Sequence, residues 1–251
     1  MQEVALESAI NSIRVRFGSQ ALTRAAELPP PRPWSSETPL DVLTGIGGMP
    51  QGRLTLLTGS GTCGKLTLAH ALLARATHAF AHAVVVDGGS FDPSSLIPFS
   101  PELGALTVVR APAPEVAGEA AATLARAGAG FLLLMCVVPE HWLGPLESGA
   151  NRSGSVVVEV VDAPDRALAH VSSLSVAFNR TGWIWERGQL VGLRAEARCV
   201  KNRVAPPLAQ TELEIRYSLG SRMLGDYEPG VIATPARVEE EEVRPRASAA
   251  V

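Results

Sequence analysis

The sequence predicts an α/β domain built on a largely parallel β-sheet, and three observations carry that expectation. From about Leu40 onward, short apolar runs alternate with Ala-rich stretches of helical character, the pattern of buried strands joined by helical crossovers. The segment Gly59-Ser60-Gly61-Thr62-Cys63-Gly64-Lys65 fits G-x-x-x-x-G-K and stands between the strand-like run 53–58 and a helical stretch from Leu66 to about Ala79. Past residue 172 the pattern changes to closely spaced strand-like runs joined by tight turns, so an antiparallel meander extends the sheet.

Taken in order, the first element is a helix. Leu6, Ile10, Ile13 and Phe17 are spaced 4, 3 and 4, which places them on one helical face that Gly18 terminates. Pro29, Pro30, Pro31 and Pro33 then exclude helix and central strand, and an extended linker is expected. The implied division is an N-terminal helical arm over 1–28, a Pro-rich linker over 29–39, a core over 40–228 and a solvated acidic tail over 229–251, marked by the run Glu239 to Glu242. Within the core, strands are expected at 53–58, 83–87, 106–110, 131–137 and 155–161, with a helix over 114–127. The meander is expected from strands at 172–178, 182–186, 190–200 and 210–217, turning at Glu186-Arg187-Gly188-Gln189.

Composition bounds the classes of function. With 251 residues and 46% hydrophobic content the chain can bury one good core. It holds no run approaching the roughly 18–20 apolar residues of a membrane span, and no signal-peptide pattern. Cys63, Cys136 and Cys199 are odd in number and widely spaced, which argues against a disulfide framework and for a reducing, cytoplasmic setting. The net charge of -3 gives no global sign of nucleic-acid binding, so direct DNA contact stays open.

The phosphate-type loop is incomplete. Its backbone N–H groups can cradle phosphates and Lys65 can reach the outer ones, but the next position, where Ser or Thr would hold magnesium, is Leu66. Thr67 offers a hydroxyl one residue late, and one residue of helix turns a side chain by about 100°. Of 22 basic residues 20 are arginine; the only two lysines are Lys65 and Lys201. Asp87 and Asp92 suit turn capping rather than catalysis, and His78 and His82 have no partner that completes a metal site. Trp183 and Trp185 alternate on one strand face; core or interface packing is favoured over a base-stacking platform.

The order of these pieces resembles the RecA recombinase family over most of residues 4–225. The stretch Ala5 to Ser19 is similar to the family's arm, which packs on a neighbouring protomer, so Leu6, Ile10, Ile13 and Phe17 are implied inter-subunit contacts. Gly47-Gly48-Met49-Pro50-Gln51-Gly52-Arg53 resembles the lead-in to the loop. The most specific match is Val200-Lys201-Asn202-Arg203-Val204-Ala205-Pro206-Pro207, which implies that Lys201 and Arg203 reach an adjacent subunit's ATP. Departures are equally regular. Gly89 stands near the position of the family's water-activating glutamate, the strand 131–134 runs into Met135-Cys136 where a magnesium-positioning aspartate is expected, and Leu66 completes the set. Two DNA-lining loops are reduced to about Pro139 to Gly154 and Asp162 to Arg166, and the family's large C-terminal domain is expected to be missing.

The resemblance therefore implies a RecA-like P-loop core with no catalytic residue and no metal ligand. ATP is at most bound, through Gly59, Ser60, Gly61, Thr62, Cys63, Gly64, Lys65 and Thr67, without efficient hydrolysis. The implied role is an accessory in DNA repair and SOS-type translesion synthesis, nucleoid-associated, with RecA or a Y-family polymerase relative as protein partner. The alternative is an active ATP-dependent recombinase or DNA-stimulated ATPase, for which Glu140 is the nearby carboxylate that can substitute.

Overall fold

A run in which every residue is apolar or β-branched becomes the centre of the sheet. Leu54–Thr58 (β3) is buried along its whole length, as expected of a strand covered on both faces. In the computed structural model, residues 2–18, 32–206, 210–217 and 231–234 are described. They divide between two units, 1–32 and 33–251.

The first unit holds α1, Gln2–Phe17. Ile10 is half-buried, Ile13 and Phe17 are exposed, and the Arg16 guanidinium lies 5.4 Å from the Phe17 ring centroid. Leu6 is described by its backbone alone. The prolines at 29–31 lie outside the described residues.

The second unit begins at Pro33, inside the expected linker. Pro33–Trp34 (β1) pairs antiparallel with Met49–Pro50 (β2), flanking the short helix Leu40–Leu43 (α2). The physical reason is Trp34, whose ring packs 5.1 Å from Phe80 and 5.6 Å from Phe131, so the chain gains buried aromatic area by starting the core early.

After β3 come Lys65–Ala79 (α3), Ala83–Asp87 (β4), Leu106–Arg110 (β5), Pro114–Ala127 (α4) and Phe131–Met135 (β6). Glu140–Ser153 (α5), Val156–Val161 (β7), Arg166–Val171 (α6) and Leu174–Glu186 (β8) follow. Gln189–Asn202 (β9), Gln210–Arg216 (β10) and Val231–Thr234 (β11) complete the order. The main sheet runs β11-β10-β9-β8-β3-β7-β6-β4-β5. From β8 to β5 all neighbours are parallel, and β9, β10 and β11 add on as antiparallel strands, so the α/β sheet with its meander is as expected.

Alternation along the strands builds two apolar layers. Leu57, Val85, Leu133 and Val158 face α3, whereas Leu56, Val84, Val86, Leu132, Leu134 and Val157 face the side of α4 and α5.

Four differences from expectation have local causes. The strands expected at 172–178 and 182–186 are one strand, β8, which continues across register shifts at 175/176, 180/182 and 184/185. Residues 140–153, taken as a reduced loop, form α5 despite Pro145; Leu143, Leu146 and Ala150 are buried against α4. Close approach makes that packing possible: a Cβ on Gly118 would lie 2.5 Å from the Trp142 ring, and one on Gly149 would lie 3.0 Å from Arg126 N. The loop expected over 162–166 carries straight into α6, which Asp165 caps by accepting from Leu168 N at 2.7 Å. Finally, β11 pairs with β10 within the span expected to be tail; residues 235–251 lie outside the described residues.

Candidate nucleotide-phosphate site

The loop leaves β3 at its C-terminal end and enters α3. Gly59, Gly61 and Gly64 have φ of +144°, +59° and +90°, conformations that side chains rarely adopt. Packing requires two of them independently. A Cβ on Gly59 would meet Phe178 O at 2.5 Å, and one on Gly64 would meet Ile215 Cδ1 at 2.3 Å. Cys63 is buried in the α3-side core and anchors the loop from beneath. Ser60, Gly61 and Thr62 are exposed at the tip, and Thr67 is half-buried one position beyond Leu66. Arg180 braces the outer edge, donating to Thr62 O at 3.0 Å while stacking 4.1 Å from the Trp183 ring centroid.

Lys65 is buried, and its ammonium is fully engaged. It donates to Val161 O at 3.1 Å, to Gly59 O and to the Asp162 carboxylate. Gly59 N also donates to Asp162 O at 3.1 Å, so Asp162 grips the loop by both backbone and side chain.

The other two positions singled out in the sequence meet in one place. Gly89 and Met135 line a cleft of about 360 Å³ at the C-terminal ends of β4, β5 and β6, with Gly88, Ser90, Cys136 and Val137 among the remaining walls. Among the described residues no carboxylate lines it. Asp87, one residue inside, is fully buried and already committed: it accepts from Ser90 N and Phe91 N at 2.9 Å each and pairs with Arg110. Burial pushes its carboxyl up, but the N–H groups of Gly89, Phe91 and Ser90 and the Arg110 guanidinium outweigh that and hold it below the usual carboxylate range. Asp92 caps the 3₁₀ segment Pro93–Phe99, accepting from Ser94 N at 2.9 Å. Both aspartates are turn-forming. Burial pushes the Cys136 thiol up to about 12, which disfavours the thiolate.

The phosphate cradle has the backbone shape for an anion, with open space around Gly61. Of the positions where the resemblance implies magnesium ligands, Leu66 is 44% exposed and apolar, and among the described residues the cleft at Gly89 and Met135 offers no charged oxygen. Glu140 is exposed at the first turn of α5.

One functional-looking group escaped the sequence reading. Glu159 on β7 is 1% exposed, its Oε2 has no hydrogen-bond partner, and burial, with Asp165 adding, pushes its carboxyl up to about 8. An acid inside Val156-Val157-Val158-Glu159-Val160-Val161 was the available signal. It shares the strand face of Val157, on the α4 and α5 side of the sheet, and pairs in register with Leu134 of β6.

The two lysines lie at different levels of the sheet's centre. Lys201 pairs with Ser175, which pairs with Leu56, whereas the loop begins after Thr58 beside Phe178. The Lys201 ammonium closes the C-terminal end of α6, donating to Ala169 O at 2.6 Å and His170 O at 2.9 Å. Burial and the neighbouring Arg203 pull its proton affinity below the ordinary lysine value. Arg203 is exposed and donates its backbone N–H to Ser173 O. Trp183 and Trp185 do share a face, but both are exposed, so core packing is corrected; Ile184 between them takes the buried side.

Comparison with known proteins gives one consistent answer. Residues 4–140 match the model of the RecA N-terminal domain, more than half of the chain. The chain is 27% identical to Protein RecA of Gluconobacter oxydans over 265 aligned positions, covering 88% of this chain and 77% of that protein. Protein RecA of Caulobacter vibrioides is likewise 27% identical, with 88% and 74% covered. For Protein RecA of Aquifex pyrophilus the values are 27%, 86% and 74%.

Proposed function

The chain belongs to the RecA family, and from that premise we propose that it acts by binding rather than by hydrolysis, as an accessory in DNA repair. The observation that supports this is the cleft holding Gly89 and Met135, which among the described residues has no carboxylate in its lining, whereas phosphoryl transfer needs metal-positioning and water-orienting groups. Leu66 removes the third such group. Contacts between protomers do not depend on those groups, so a chain without them can still cap, seed or recruit to a filament.

The specific role proposed is that of an ImuA-type paralogue, serving SOS-induced translesion synthesis in association with the nucleoid. Its partners would be a RecA filament, a Y-family polymerase relative, or both. The exposed Ile13 and Phe17 of α1 and the exposed Arg203 are the surfaces proposed for that contact, with Leu6, Ile10 and Lys201 beside them. Among the described residues no helix is long and apolar enough to cross a membrane.

ATP turnover with and without single-stranded DNA tests the first part. The expected rate equals that of a Lys65→Ala control; robust turnover lost in that control overturns the proposal. Deleting residues 1–18 tests the second, with loss of RecA or polymerase capture expected and an unchanged melting temperature for the core. Capture undiminished by the deletion removes the arm from the interface.

A further inference from the structure

We propose that Asp162 is an internal anion that occupies Lys65, so that the phosphate loop is self-satisfied and accepts a nucleotide's phosphates only when this latch opens. An ammonium has three donors, and Lys65 spends them on Gly59 O, Val161 O and Asp162 Oδ1. None is left for phosphate. The acceptors all belong to the loop or to the end of β7, so the lysine that would neutralise an incoming triphosphate instead ties the loop to the neighbouring strand.

The arrangement is reversible by its own geometry. The Lys65 side chain is 7% exposed but Asp162 is 79% exposed. Rotation of one surface carboxylate frees a donor, while the two backbone acceptors and the Gly59 N–H bond to Asp162 O keep the loop's shape. The residues that follow have bonds of their own. Asp165 caps α6 through Leu168 N, and Lys201 closes the other end of α6 on Ala169 O and His170 O. The 162–171 connection is thereby pinned at both ends by the chain's only two lysines.

Asp162 acts on phosphate in two ways that add. It competes for the Lys65 charge, and its own charge repels a second anion at the same place. With Asp162 exposed the pair is screened by solvent, so the latch lowers affinity rather than abolishing the site. This holds independently of turnover and of which protein partner is bound.

The test is a titration with fluorescent N-methylanthraniloyl-ATP in EDTA and in magnesium, on the full chain. Asp162→Asn and Asp162→Ala are expected to bind about tenfold tighter than the parent, by release of a screened ion pair and a like charge. The gain is expected to vanish in Lys65→Ala/Asp162→Asn. With ¹⁵N-lysine labelling the chain gives only two ammonium signals, and the Lys65 signal is expected to shift in Asp162→Asn while Lys201 stays. Equal affinity of parent and Asp162→Asn overturns the latch, as does absence of binding in both variants or a gain that survives Lys65→Ala. Because Asp162 is exposed, its two single variants are expected to melt with the parent; should Asp162→Ala melt early, the isosteric Asp162→Asn decides.

Discussion

The phosphate loop and the cleft two strands away resemble each other in position, both at C-terminal strand ends, and differ in what holds them. In the loop, Gly59 and Gly64 are required by Phe178 O and Ile215, which belong to the core and the meander. In the cleft, a Cβ on Gly89 would meet nothing within 4 Å, and Met135 merely closes β6. Packing fixes the two loop glycines whatever the chemistry, whereas Gly89 is set only by its own φ of +123°. The intact loop is therefore evidence of a fold constraint first and of nucleotide binding only second.

The largest effect expected concerns the strand between the two regions. β7 is bonded to β3 on one side and β6 on the other, and carries the buried Glu159. Its folded-state carboxyl titrates at about 8 against an ordinary 4.5, so the folded state holds a proton that the unfolded state releases first. Stability is fully present below the lower value and declines as pH rises to the upper one, by up to about 5 kcal/mol. Urea unfolding at pH 5 and pH 9 checks this, and Glu159→Gln is expected to flatten the dependence. A profile unchanged by that substitution would assign the buried carboxyl another partner.

Next in size, Gly59→Ala is expected to cost about 3–4 kcal/mol, combining φ strain with a backbone clash. Gly89→Ala, strained in φ but free of contacts, is expected to cost about 1 kcal/mol. Thermal melts of the two variants measure the contrast directly, and equal losses would break the comparison. Lys201→Ala is expected to cost about 1 kcal/mol by uncapping α6. The smallest effect falls on the meander: Trp185→Ala, at a 61% exposed site, is expected to change stability by less than about 0.5 kcal/mol while reducing partner capture.

Much of this was legible in the chain. The strand, glycine loop and helix around Lys65 follow from local pattern, because the backbone conformations involved are available almost only to glycine. The parallel strands follow from apolar runs that leave no solvent face. α5 was not legible, since Gly144, Pro145 and Gly149 argue against a helix and only packing on α4 forms it. Nor was the early start of the core at Pro33, which rests on Trp34 meeting Phe80 and Phe131.

By itself, the sequence determined the α/β class, the phosphate-type loop and the loss of its hydroxyl at Leu66, all of which are local properties of residue type and spacing. Only the tertiary structure decided that Gly89 and Met135 open into one uncharged cleft, that Glu159 emerges on the α4 and α5 side of the sheet, and that Asp162 satisfies Lys65. Those facts depend on which strands lie side by side and on which face each side chain emerges, and neither is written in any single stretch of chain.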